Sequence, residues 1–139
     1  MFNDHRFRSF AHVALRIVAG LAYFSHGAQK LFGWFGGMGP DHGTVQLASR
    51  FGAAGVIEVV CGALIVIGLF TYLAAFIASG EMAVAYFWIH SAGSGSIWWW
   101  QNHGELVMLF CFIWLSFAAW GGGPFSVDAA RARGASGRA

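Results

Sequence analysis

The 139-residue chain is 58% hydrophobic and 10% charged, with a formal net charge of +2, whereas an ordinary soluble domain carries roughly 25% charged residues. It lacks the polar residues to cover a soluble surface, its length leaves no room for a globular catalytic unit beside one domain, and no basic stripe suggests nucleic acid. Cys61 and Cys111 form neither a disulfide framework nor a Cys-x-x-Cys motif, and both lie in apolar runs that read as sites of inert buried thiols.

A bilayer core of about 30 Å needs about 20 apolar residues. The first predicted span covers 11–35 and breaks at Gly36-Gly37-Met38-Gly39-Pro40-Asp41. The next apolar stretch is too long for one crossing and folds back at Gly68-Leu69-Phe70-Thr71, which gives spans over 50–69 and 71–91. The last covers 104–120 and stops at Gly121-Gly122-Gly123-Pro124. The expected fold is all-α, a single domain over 1–139 forming an integral membrane four-helix transmembrane bundle.

Arg6 and Arg8 precede the first span, and Arg131, Arg133 and Arg138 follow the last. Only Lys30 and Arg50 flank the first loop, and no Lys or Arg lies between Thr71 and Trp120. The positive-inside rule therefore predicts a multi-pass chain with both termini cytoplasmic, as an even number of spans requires. Trp98-Trp99-Trp100 then falls at the outer boundary, where indoles favour the headgroup layer. A cleaved signal peptide is the competing reading of the N-terminus, but Arg16 interrupts its apolar region.

Ionisable side chains in a span are costly and usually face the bundle interior. The first helix carries Arg16, His26 and Lys30, the second Glu58, the third Glu81 and His90, and His103 with Glu105 opens the fourth. By helical rise, Glu81 lies near the midplane, His26 about 6 Å and Lys30 about 12 Å outward of the centre of their helix. His90 and Glu105 lie near the outer edge, and Arg16 alone lies toward the cytoplasm. Helical periodicity places Tyr23, His26 and Lys30 on one arc, Glu58 with Cys61, Gly62 and Ile65, Glu81 with Ala74, Ala78, Ala85 and Trp88, and Glu105 with Leu109 and Phe112. His26, Lys30, Glu58, Glu81, His90 and Glu105 thus make a candidate polar cluster in the outer half, and Glu58 or Glu81 with Lys30 or Arg16 a candidate structural ion pair, the role assigned to Arg16. No metal site is expected, and a structural ion pair fixing helix register explains the carboxylates as well as a functional role does.

Leu15-Arg16, Gly20 and His26-Gly27-Ala28-Gln29-Lys30-Leu31-Phe32-Gly33 resemble the first-helix signature of DoxX-type membrane proteins. Glu58 with Gly62, Leu64 and Gly68-Leu69 is similar to their second helix, and Glu81-Met82-Ala83-Val84-Ala85 with His90 to their third. Asn102-His103-Gly104-Glu105-Leu106 and the run from Gly121 to Asp128 complete the resemblance, with Thr71-Tyr72 a departure where many members place an Arg. The resemblance implies a four-helix bundle in a bacterial plasma (inner) membrane, associated with quinone-linked redox systems. No haem, flavin or iron–sulfur motif accompanies it, so no cofactor is held by a recognisable motif and a quinone is the candidate ligand. Three functions compete: a subunit of a quinone-linked redox complex whose cluster contacts a quinone or relays protons, a purely structural or assembly subunit, and a proton-conducting or transport bundle. Membrane lipid and other subunits of a membrane complex are the expected partners.

Overall fold

The computed structural model describes residues 4–136, and the Arg138 of the basic C-terminus lies outside them. Among the described residues there is no strand. Of four long helices, α1 (His5–Phe32) and α2 (Arg50–Ile67) are joined by the long segment 33–49, which holds 3-10 turns at Trp34–Gly36 and Pro40–His42. The other two, α3 (Thr71–Ser94) and α5 (Glu105–Trp120), follow through shorter connections. A one-turn α4 (Trp99–Asn102) precedes α5, and α6 (Val127–Ser136) follows it. By length and composition, α2 and α3 are long and apolar enough to cross a membrane. The 28-residue α1 is more polar, and α5 is apolar but has 16 residues.

Local chemistry sets these ends. Asp4 accepts the Arg6 N–H at 2.9 Å and starts α1 six residues before the expected span, and Gly33 in the left-handed conformation ends it at Phe32 rather than Phe35. Ser49 caps α2 through the Gly52 N–H at 3.1 Å. Gly68, at φ 71°, closes α2 and lets α3 begin three residues later. The third helix departs from the expected regular stripe because Tyr86–Ser91 is π-helical. One extra residue per turn moves the inward position after Ala85 from Trp88 to Ile89 and His90, so Trp88 is 70% exposed while His90 is half-buried.

The bundle is built as two pairs, α1 on α2 and α3 on α5, hinged by the turn at Gly68. Glycines let α1 and α2 approach closely: a Cβ at Gly62 would lie 2.9 Å from the Phe24 nitrogen, and one at Gly27 would lie 2.8 Å from the Gly55 carbonyl oxygen. Ala74, Ala75 and Ala78 do the same for the α3 face, and Ser79 Oγ donates to the Cys111 carbonyl of α5 at 2.9 Å. The pairs meet at an aromatic core in which Tyr23 of α1 lies 5.2 Å from Trp114 of α5, itself stacked at 5.6 Å on Phe110.

Candidate functional site

The two ends of the bundle are built differently. At one end the segment 121–128 folds back over α1 and the α2–α3 turn. Arg16, 2% exposed, donates to the carbonyls of Gly122, Phe125 (2.8 Å) and Val66 (3.4 Å). His12 Nε2 bonds the Gly121 carbonyl at 2.8 Å. The Asp128 carboxylate accepts from the Phe70 N–H, the Thr71 N–H and the Thr71 hydroxyl, each at 2.9 Å, and so caps α3 from across the chain. Partial burial pushes the Asp128 carboxyl up, but the bonds from Thr71 and Phe70 and the nearby Arg131 charge outweigh it and hold the group below its ordinary value. The expected ion pairing of Arg16 is corrected here. Its hydrogen-bond partners are carbonyls, because Glu58 and Glu81 lie too far along their helices toward the other end, whereas the glycine-rich segment brings the Gly122 and Phe125 carbonyls and the end of α2 the Val66 carbonyl. Asp128 lies near enough to act through its charge.

At the other end the two pairs part and enclose a cleft of about 990 Å³ bordered by all four long helices. Its walls are largely aliphatic and aromatic, including Phe51, Ile57, Val107 and Phe110. Polar groups enter from three helices. Lys30 Nζ donates to both oxygens of Glu58, at 2.5 and 2.6 Å, with side-chain exposures of 12% and 3%. Tyr23 donates from α1 to Glu81 Oε2 on α3 at 3.0 Å, and among the described residues Glu81 Oε1 has no partner. His26 lies between Tyr23 and Lys30 on the same face, with its ring edge-on to Phe110 at 6.3 Å. His90 lines the outer part and donates from Nδ1 to the Asn102 carbonyl at 3.0 Å, which leaves Nε2 toward other partners.

Five of the six candidate cluster residues therefore border one cleft: His26, Lys30, Glu58, Glu81 and His90. Glu105 does not. It is exposed at the first position of α5, on the face of Leu109 and Phe112, which are 53% and 62% exposed, while Phe110, Trp114 and Phe117 face inward. An acid in the first turn is stabilised by the free N–H groups and the helix dipole without any inward contact. Sequence reasoning placed Tyr23 on the right arc but gave it no role, and its hydrogen bond to Glu81 ties α1 to α3. It gave Asp128 no role either, although an acid just past a glycine-proline break is a capping signal. Among the described residues no three His, Cys, Asp or Glu side chains group as a metal site.

The arrangement can bind a molecule with an apolar body and one or two hydrogen-bonding groups, and can move a proton between Tyr23, Glu81 and such a molecule. Comparison with known proteins places the chain. The profile of the DoxX family matches residues 11–91. A Haemophilus influenzae protein named only "Uncharacterized protein" is 38% identical over 129 residues, which is 92% of this chain and 96% of that one. No solved structure matches.

Proposed function

The chain belongs to the DoxX family and is a small membrane protein, and from that premise we propose that it is a membrane subunit of a quinone-linked redox complex whose cleft receives the quinone head group. The observation that carries this reading is the cleft of about 990 Å³, apolar-walled, with the polar atoms of Tyr23, Lys30, Glu58 and Glu81 converging at its base. That size and lining suit a ring-and-tail ligand. Electrons are exchanged with a partner subunit, and the tail rests among lipid.

In this reading α1, α2, α3 and α5 all cross the plasma membrane of a bacterium. α1 tolerates Arg16 and Lys30 because both face protein, and α5, about 24 Å long, is extended to the interface by the flanking Trp99 and Trp100. The α2–α3 turn, the start of α1 and the segment 121–128 share one end, which supports placing both termini on the cytoplasmic side with Arg6, Arg8, Arg131 and Arg133. The Lys30–Glu58 pair favours a second reading, a purely structural subunit, since a carboxylate with both oxygens engaged has little left for a ligand.

Titration of decylubiquinone into the protein in lipid nanodiscs, followed by quenching of intrinsic tryptophan fluorescence, tests the proposal. Saturable binding at one site per chain is expected. Quenching that rises only in proportion to quinone dissolved in the lipid, and equally for a control peptide, overturns it.

A further inference from the structure

Most glycines of this bundle sit where a side chain would collide, but Gly80 does not. A Cβ there would meet nothing within 4 Å. Glycine in a helix interior is destabilising relative to alanine, and here no neighbouring atom requires it. Gly80 borders the cleft together with Ala53 of α2 and Ile77 and Val84 of α3, and all four are exposed. The cleft is therefore open along its flank between α2 and α3, as well as at the outer mouth marked by the exposed Arg50 and His103.

The depth of that flank decides what it admits. Counted from Thr71, Ile77 lies about 9 Å and Val84 about 20 Å along α3, in a hydrocarbon core about 30 Å thick. The flank thus faces acyl chains from below the midplane into the outer half, whereas Arg50 and His103 face the water side. The residue after Gly80 is Glu81, whose Oε2 accepts from Tyr23 at 3.0 Å and whose Oε1 has no partner among the described residues. Glu58 cannot play the same part, since Lys30 engages both of its oxygens. Among the described residues, the Oε1 acceptor of Glu81 and the ring nitrogens of His26 are left over in the cleft beside this lateral opening.

We infer that the occupant of the cleft is a hydroxyl-bearing amphiphile dissolved in the bilayer, a quinol rather than the oxidised quinone, which donates a hydrogen bond to Glu81 and leaves its tail in the lipid through the flank beside Gly80. The inference rests on the ligand reading above and adds the route, the redox form and the anchoring atom. A quinone offers only carbonyl acceptors, which the His26 ring can serve but ionised Glu81 cannot, whereas a quinol hydroxyl can accept from His26 and also offers the donor that Oε1 lacks. Gly80 is then a specificity-determining position: the missing side chain is where the tail passes.

Gly80→Leu puts a branched side chain into the flank at a position where its Cβ meets nothing within 4 Å, and Gly93→Leu, at another glycine with open surroundings, is the control. Binding of decylubiquinol, decylubiquinone and a tail-less ubiquinol is measured in nanodiscs for both variants and the wild type. Wild type binds decylubiquinol about tenfold or more tighter than decylubiquinone. Gly80→Leu loses about tenfold or more for the tailed quinol, holds the tail-less one within about threefold, and Gly93→Leu changes neither. Undiminished binding of the tailed quinol by Gly80→Leu, or a preference for the oxidised form, overturns the inference while leaving a quinone site in place. A spin label at Gly80→Cys, with Cys61 and Cys111 replaced by alanine, tests the flank apart from any ligand. Collisions with lipid-dissolved oxygen should exceed those with a water-soluble nickel chelate, and the reverse overturns a lipid-side opening even where quinones bind. Oxygen-dominated collisions with no quinone or quinol bound by the wild type would uphold the opening and defeat the quinone reading instead.

Discussion

The Arg16–Asp128 end and the Lys30–Glu81 end of this bundle carry similar numbers of polar groups but use them in opposite ways. Around Arg16 and Asp128 most acceptors and donors are met across four chain segments by backbone carbonyls and N–H groups, and the one buried atom left without a partner there, Arg16 Nε, is packed in protein rather than open to a cavity. That end is closed, and Gly68 shows how tightly: a Cβ there would stand 2.4 Å from the Ser126 Cβ. Around Glu81 the pairing is incomplete, the walls part into a cleft, and Gly80 has open space beside it. Matched polarity fixes a structure, and a leftover acceptor in a cavity is what a ligand or a proton can use.

The largest expected effect blurs that contrast and so sharpens it, because the open end contains one matched pair. Glu58→Gln leaves the Lys30 ammonium uncompensated and should cost about 3–5 kcal/mol, whereas replacing both residues by Met and Leu should recover most of the loss. Thermal unfolding of the two variants measures the difference, and a double variant as unstable as the single one contradicts the pairing. Arg16→Met comes next. It strands two well-bonded carbonyls in the closed end, at about 1–3 kcal/mol each, and should lower stability without altering the affinity of the folded fraction for a quinone.

Glycine-to-alanine exchange at the two ends gives effects of opposite sign. Gly68→Ala meets both the left-handed backbone, φ 71°, and Ser126, and should cost about 2–3 kcal/mol. Gly80→Ala should instead stabilise by about 0.5–1 kcal/mol, the ordinary helix-interior gain. Equal losses at both positions would erase the distinction between a closed and an open end.

The smallest effect is at Asp128. Its carboxyl is held below the ordinary value in the folded chain, so its contribution is fully present above the unfolded pKa of about 4 and is lost as pH falls through the folded value. Asp128→Asn should therefore lower the unfolding temperature at pH 7 by a capping-sized amount, about 1 kcal/mol, and the gap to wild type should narrow below about pH 4. A gap that widens on acidification contradicts the capping role.

Much of this contrast was legible in the sequence, but unevenly. Gly68 and the Gly121-Gly122-Gly123-Pro124 run mark helix ends by local chemistry, and the structure puts boundaries beside each. Five of six cluster candidates border the cleft because helical periodicity and depth are properties of one helix at a time. What could not be read depends on how helices meet. The carbonyls that receive Arg16 belong to residues 50, 106 and 109 positions away and have no side-chain signature. The partnership of Tyr23 with Glu81 needs the register between α1 and α3. The π-helical turn that moves Trp88 out and His90 in has no composition cue. Glu105 misled because a helical wheel cannot say which face of α5 is inward when nearly every residue is apolar.

The claim that the open end is a ligand site is tested most directly by Glu81→Gln, with quinol binding and thermal unfolding measured on one nanodisc preparation. The amide still accepts from Tyr23 but removes the charge that strengthens a bond to a ligand hydroxyl. The account predicts an unfolding temperature within about 3 °C of wild type and a loss of quinol affinity of about tenfold or more. A marked fall in unfolding temperature with affinity unchanged would contradict it, and would make Glu81 a strut of the bundle.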